Sequence, residues 1–94
     1  MKREVVVSKE TKEKIVGITE NVLSAMRDAY DLDLPVEFIK VDELGRVTIK
    51  FQEPVVDMLF GVALEGVFCN GLVEGVDGYN ILDYKEDEVT LEYV

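Results

Sequence analysis

The segment from Pro54 to Phe68 constrains the fold more than any other part of this 94-residue chain. Asp57 and Glu65 are its only charged residues, and most of the others are apolar. Pro54 suits the first turn of a helix, where a missing amide costs nothing, so we predict a helix from this residue onward. Apolar side chains would surround most of that helix, and such a helix must be covered on more than one side.

One sheet and one further helix leave part of that apolar surface uncovered in a chain this short. The sequence therefore predicts a homo-oligomer, most simply a two-fold dimer. The alternative is a central core helix enclosed within one chain. Gly61 and Gly66 would let another backbone approach closely. Cys69 can also be interpreted as a small buried hydrophobic residue. We expect the interface to include Val55, Leu59, Val62, Gly66 and Cys69.

The N-terminal third predicts a strand and a long helix. Val5, Val6 and Val7 form a β-branched run that favours a short buried strand. Ser8 can cap a helix that starts at Lys9, and apolar residues three and four apart continue that helix to about residue 31. The segment Asp31–Pro35 ends it, because the residue before a proline is pushed out of helical geometry.

Two hairpins complete the predicted elements. Residues 47–51 alternate between apolar and polar, and residues 36–41 supply the partner strand, with Gly45 giving the loop its positive φ. Residues 79–84 and 88–94 form the second pair, joined through residues 85–87. Either Asn70–Gly71 or the glycines at 75 and 78 end the apolar helix between the hairpins.

These elements predict an α+β fold in the order β-α-β-β-α-β-β, a mostly antiparallel sheet packed against two helices. Because no Pro-, Gly- or Ser-rich linker divides the chain, we expect one small domain over residues 1–94. A helix followed by a hairpin occurs twice, but residue identity between the halves is too slight to predict a repeat.

The charge of the chain is uneven. The formal net charge is −10, and residues 51–94 hold ten carboxylates with Lys85 as their only cation. Such a surface repels phosphate-rich ligands, so we expect neither direct nucleic-acid binding nor attachment to an anionic membrane. The acidity serves solubility, or it recognises a protein partner with a basic surface.

The chemistry-bearing residues favour a non-enzymatic protein without metal or cofactor. The chain has no histidine and one cysteine, which removes Ser-His-Asp and Cys-His catalysis and a tetrahedral zinc site. Acidic groups at residues 28–33 and 83–88 do not match the spacing of a calcium loop. A lone cysteine permits no intrachain disulfide, so we expect a reducing, cytoplasmic location, and no segment is a convincing membrane span.

The leading functional hypothesis is a small acidic homo-oligomeric interaction module, an inhibitor or regulator of another protein. The alternative is a protein that binds or sequesters a small nucleotide-like ligand at a subunit interface. In that alternative, amides of the loop with Gly71, Gly75 and Gly78 and the cations Lys2, Arg3 and Lys9 would contact the ligand.

Overall fold

The computed structural model describes residues 6–94, which form two helices and one four-stranded antiparallel sheet. The predicted α+β class, with an antiparallel sheet packed against two helices, is confirmed. In chain order the elements are α1 (Lys9–Tyr30), β1 (Val36–Val41), β2 (Val47–Phe51), α2 (Met58–Cys69), β3 (Tyr79–Lys85) and β4 (Glu88–Tyr93).

The strand predicted at the N-terminus is wrong for the part that the structure describes. Val6 and Val7 belong to no strand, and Val5 lies outside the described residues. The Val7 N–H donates to the Glu43 carbonyl in the β1–β2 loop at 3.0 Å. This bond ties the start of α1 to the tip of the hairpin that follows it, without the continuing ladder that a strand requires.

Helix α1 matches its prediction. The Ser8 hydroxyl accepts the Thr11 N–H at 3.2 Å and caps the first turn. The helix ends at Asp31, which takes the left-handed conformation (φ 55°) four residues before Pro35. One stripe of the helix is buried against the sheet and α2: Thr19, Val22, Leu23 and Met26.

The predicted β1–β2 hairpin is confirmed, including the role of Gly45. This glycine has φ 83°, and the side chains of Val7 and Ile15 lie against it. The Asp42 carboxylate holds the loop by accepting the N–H groups of Leu44 and Arg46, each at 2.9 Å. The start of α1 therefore covers the tip of this hairpin.

Helix α2 starts later than predicted, at Met58 and not at Pro54. The Asp57 carboxylate accepts the Phe60 N–H at 3.0 Å, and this cap sets the first turn. The Val56 N–H instead donates a hydrogen bond to the Glu86 carbonyl of the β3–β4 turn at 2.9 Å. This bond keeps residues 54–57 out of the helix. Of the two predicted ends, Asn70–Gly71 is confirmed, because Asn70 is the C-cap and Gly71 has φ 66°.

The strands lie in the order β1-β2-β4-β3, with both helices on one face of the sheet. The central strands β2 and β4 supply the sheet's share of the core, with Phe51 and the pairs Val47–Leu91 and Ile49–Val89 buried. On the opposite face, the hydroxyls of Thr48 and Thr90 lie 3.1 Å apart. Strand β3 pairs antiparallel with β4, which confirms the predicted second hairpin.

Connectivity and register relate the two α-β-β halves by an approximate two-fold axis at the Thr48–Thr90 pair. Rotation about this axis exchanges β2 with β4 and superimposes residues 47–51 (VTIKF) on residues 89–93 (VTLEY). The buried stripe of α2, which is Phe60, Ala63, Leu64 and Val67, repeats the spacing of the α1 stripe. The two halves, whose sequence identity is too slight to predict a repeat, therefore share connectivity and register.

Candidate docking surface

One face of α2 is exposed and mainly apolar, and Glu65 is the exposed charged residue on it. Met58 is 85% exposed, while Leu59 and Val62 are each 55% exposed, and Cys69 is exposed on the same side of the helix. The opposite side is buried in the core. We name these four residues (Met58, Leu59, Val62 and Cys69) the α2 ridge. Its exposure agrees with the sequence expectation of surplus apolar surface on this helix.

The residues predicted as an interface do not all lie on the ridge. Leu59, Val62 and Cys69 do. Val55 precedes the helix and is partly buried against the core. The idea that Cys69 is a buried hydrophobe is wrong, because position 69 follows Val62 by two helical turns and shares its outward direction.

Gly66 has a different role from the one predicted. A Cβ at this position would overlap the hydroxyl oxygen of Tyr30 and lie 2.6 Å from its Cζ atom. The close approach that this glycine permits is therefore made by α1 of the same chain, not by a second backbone. Gly61 differs, since nothing among the described residues lies within 4 Å of the position of its Cβ.

The seam between α2 and the sheet is closed at the C-terminal end of α2. The Phe68 ring lies 4.8 Å from the Tyr79 ring and 6.3 Å from the Tyr93 ring, measured between centroids. Tyr79 and Tyr93 are cross-strand partners, so both tyrosines contribute to this packing. Burial raises the pKa of Tyr79, and the nearby Glu65 raises it further.

The same seam is open at the N-terminal end of α2. Here a groove of about 410 Å³ lies between α2 and the β3–β4 hairpin. Gly61 occupies the helix position two turns before Phe68 and offers no side chain to close the gap. Ile81 and Tyr84, on the helix side of β3, remain 43% and 68% exposed. The groove is lined by Val56, Asp57, Met58, Phe60, Gly61, Ile81, Tyr84 and Val89.

The two-fold axis supplies an internal comparison for this groove. Ile39 on β1 pairs with Ile49, as Ile81 on β3 pairs with Leu91, yet Ile39 is partly buried against the core. The depression on the α1–β1 side contains polar groups of α1, and Arg27 Nη2 there donates to the Leu34 carbonyl at 2.5 Å. Its lining is Glu20, Asn21, Leu23, Ser24, Arg27, Val36 and Ile39. The fold itself does not require an open apolar groove.

Carboxylates border the open groove. Asp57 lines it, Glu65 lies one turn beyond Gly61 on α2, and Glu86 belongs to the adjoining β3–β4 turn. Asp87 in the same turn is different, because its carboxylate accepts a hydrogen bond from Lys50 Nζ at an N···O distance of 2.5 Å. The hydrogen bond from Lys50 lowers the pKa of Asp87, and the same bond raises the pKa of Lys50. The border of the groove is therefore acidic, with Asp87 neutralised by its own chain.

Both outer strands are irregular. The register shifts between Val36 and Phe38 in β1, and between Ile81 and Asp83 in β3. In β3 the Asp83 carboxylate also accepts the Tyr84 N–H at 2.9 Å. Bulges and self-satisfied amides hinder the addition of another strand to a sheet edge. A partner protein would therefore bind the side chains of the α2–β3 region more readily than the edge of the sheet.

The other candidate sites gain little from the structure. Within residues 6–94, no group of three potential metal-ligating side chains comes together. The depression beside Gly71 has two carboxylates, Asp28 and Glu74, and no cation among its described lining residues. Such a lining does not suit a phosphate. Of the cations in the nucleotide hypothesis, Lys9 is the first residue of α1 and does not line this depression. Lys2 and Arg3 lie outside the described residues.

Ile81 completes the groove, and its exposure was not predicted from sequence. The strand pattern indicates an inward-facing residue, but the short α2 and the missing side chain at Gly61 leave it 43% exposed.

Neither helix in the described part of the chain has the length and hydropathy needed to cross a bilayer.

Comparisons with protein-family models, with curated proteins and with solved structures find no match. The functional interpretation therefore depends on the geometry and charge of the α2–β3 region.

Proposed function

We propose that this chain is a non-enzymatic, homo-oligomeric interaction module that acts in a reducing, cytoplasmic environment and regulates another protein. The observation that carries the proposal is the α2 ridge, where Met58, Leu59 and Val62 expose most of their side chains. The lack of histidine removes the usual general base, which supports a role in binding over catalysis.

The ridge supports a two-fold dimer in which α2 packs antiparallel to α2 of a second copy. Full burial of one such side chain is worth about 1.5–3 kcal/mol, so covering the three exposed fractions contributes roughly 4 kcal/mol per copy. Two copies contribute roughly 8 kcal/mol, which exceeds the lower estimates of the cost of association, about 4 kcal/mol. The difference, about 4 kcal/mol, corresponds to a dissociation constant of about 1 mM, so we expect a weak dimer.

Salt should strengthen this dimer. Each copy carries a formal charge of −10, and the repulsion between copies is screened as ionic strength rises. The apolar ridge contact is not weakened by salt. Association that tightens with salt is therefore the expected signature of the ridge interface.

Sedimentation equilibrium over a concentration series tests the proposal. The wild type should dimerise, and the double variant Leu59→Glu, Val62→Glu should be monomeric. Leu44→Glu is the matched control, because Leu44 is a comparably exposed leucine (49%) in the β1–β2 loop, and it should dimerise like the wild type. A wild-type chain that stays monomeric at about 1 mM would refute the homo-oligomer, since a dissociation constant of about 1 mM places about half of the chains in dimers at that concentration.

A further inference from the structure

We infer that the groove between α2 and β3 binds an amphipathic helix of a partner protein, with apolar residues on one face and Lys or Arg beside them. The inference deepens the proposed function, because it names the class of partner and places it on a surface next to the ridge. It depends on three features: the gap at Gly61, the difference between the two related grooves, and the charge of the border.

The gap at Gly61 gives the groove its shape. Phe68 fills the seam two turns later against Tyr79 and Tyr93, so the seam is closed where α2 supplies this large side chain. At Gly61 it supplies none, and the groove beneath contains the side chains of Phe60, Ile81 and Val89. An apolar side chain from outside would complete the packing that Phe68 makes at the other end.

The comparison of the two halves indicates that the partner segment is helical. Helix α1 has 22 residues and, through Ile15 and the preceding Val7, covers the tip of its hairpin, whereas α2 has 12 residues and leaves the β3–β4 hairpin exposed. A short helix laid over Ile81 and Tyr84 would cover this half as α1 covers the other. Helices bind such grooves through apolar anchors spaced three and four residues apart.

The charge of the border indicates that the partner is basic. Asp57 lines the groove, Glu65 follows Gly61 by one helical turn, and Glu86 lies in the adjoining β3–β4 turn. Lys85 is the only cation in residues 51–94. A second copy of this chain would bring its own carboxylates against them, which disfavours it as the occupant of the groove. Lys and Arg beside the apolar anchors would gain attraction and a faster encounter, both weakened by salt.

The test uses a synthetic peptide of about 14 residues with Leu spaced three and four apart and Lys elsewhere. Calorimetric titration into the full-length protein measures its affinity. A scrambled peptide of the same composition, with leucines on all sides, controls for charge alone. We expect the patterned peptide to bind at least about tenfold more tightly than the scrambled one, which corresponds to about 1.4 kcal/mol. Raising the salt concentration should weaken its binding.

Gly61→Leu locates the binding. The new side chain enters the groove without a backbone clash, because nothing described lies within 4 Å of the Cβ position. Gly17→Leu is the matched control: Gly17 is a helical glycine of α1 with the same open surroundings, and it does not line the groove. We expect Gly61→Leu to weaken the patterned peptide at least about tenfold and Gly17→Leu to leave it unchanged.

Three results would overturn the inference: equal binding of both peptides, equal binding to wild type and Gly61→Leu, or no binding of the patterned peptide at low salt. Binding that disappears only in the ridge variant Leu59→Glu, Val62→Glu would also refute it, because the peptide would then occupy the ridge. Both glycine variants should sediment like the wild type. Peptide binding in the groove can therefore be refuted while dimerisation through the ridge is confirmed. Dimerisation can likewise be refuted while the groove binds the peptide.

Discussion

The hydroxyl group of Tyr93 allows a quantitative test of how α1 is joined to the sheet. Thr19 Oγ1 donates to the Ile15 carbonyl at 2.8 Å and lies 2.7 Å from the Tyr93 hydroxyl oxygen. Since the single Thr19 proton is used on Ile15, the Tyr93 hydroxyl donates to Thr19. Burial raises the pKa of Tyr93 from its ordinary value of 10.0 to about 12.

The raised pKa sets the direction of the pH dependence. The unfolded chain releases the Tyr93 proton near pH 10.0 and the folded chain near pH 12, so the stabilisation is fully present below pH 10.0. It is lost as pH rises from 10.0 to about 12. The complete loss is about 2.7 kcal/mol, and about half of it, roughly 1.4 kcal/mol, is reached midway at about pH 11.

The assay is urea unfolding of wild type and Tyr93→Phe, followed by circular dichroism from about pH 8 to pH 11. Near pH 8 the variant should be less stable by about 1 kcal/mol, because one hydrogen bond is lost. Near pH 11 the difference should vanish, because the wild type has lost a similar amount. Other tyrosines and the lysines titrate in both proteins and cancel. Parallel profiles for the two proteins would refute the buried-phenol explanation.

Three further substitutions test the local geometry by chemical unfolding. Gly66→Ala should destabilise the wild type by about 1 kcal/mol, because it displaces the Tyr30 ring. In the Tyr30→Ala background the same substitution should stabilise the protein by about 1 kcal/mol, because alanine has the higher helix propensity. A stabilising effect in both backgrounds would show that Tyr30 does not occupy this space. Ser8→Ala should cost about 1 kcal/mol through the lost cap, while Ser24→Ala, on an exposed helical surface, should cost nothing measurable. Gly45→Ala should cost about 1–2 kcal/mol because of its positive φ, and an unchanged midpoint would contradict the loop conformation.

Periodic segments were predictable from sequence, and segments governed by tertiary competition were not. Helix α1 and the β1–β2 hairpin follow from spacing, a serine cap and a loop glycine, which are local signals. The start of α2 was misplaced because Pro54 and Asp57 both suit a helix start, and the hydrogen bond from Val56 to Glu86 decides between them. Val7 likewise bonds to a distant loop that its own neighbours do not reveal.

The candidate surface was predictable in part, for a related reason. Apolar composition identified α2 as the helix with more apolar surface than one chain can cover, and Leu59, Val62 and Cys69 are exposed on it in the structure. Composition could not show that Gly66 accommodates Tyr30, since those residues come from different helices. Nor could it show the groove at Ile81, because the burial of a strand residue depends on the length of the helix above it.

The bonds that tie Val7 to Glu43 and Val56 to Glu86 have a consequence for folding kinetics. Each joins the residue before a helix cap to the tip of the hairpin that follows that helix, so each closes a loop that spans most of one half of the chain. The entropy of closing such loops is lost before the contact forms, so non-local contacts of this kind slow folding. Pairing of β2 with β4 adds a further long-range step between the halves, and we expect the chain to fold more slowly than a helical bundle of similar length.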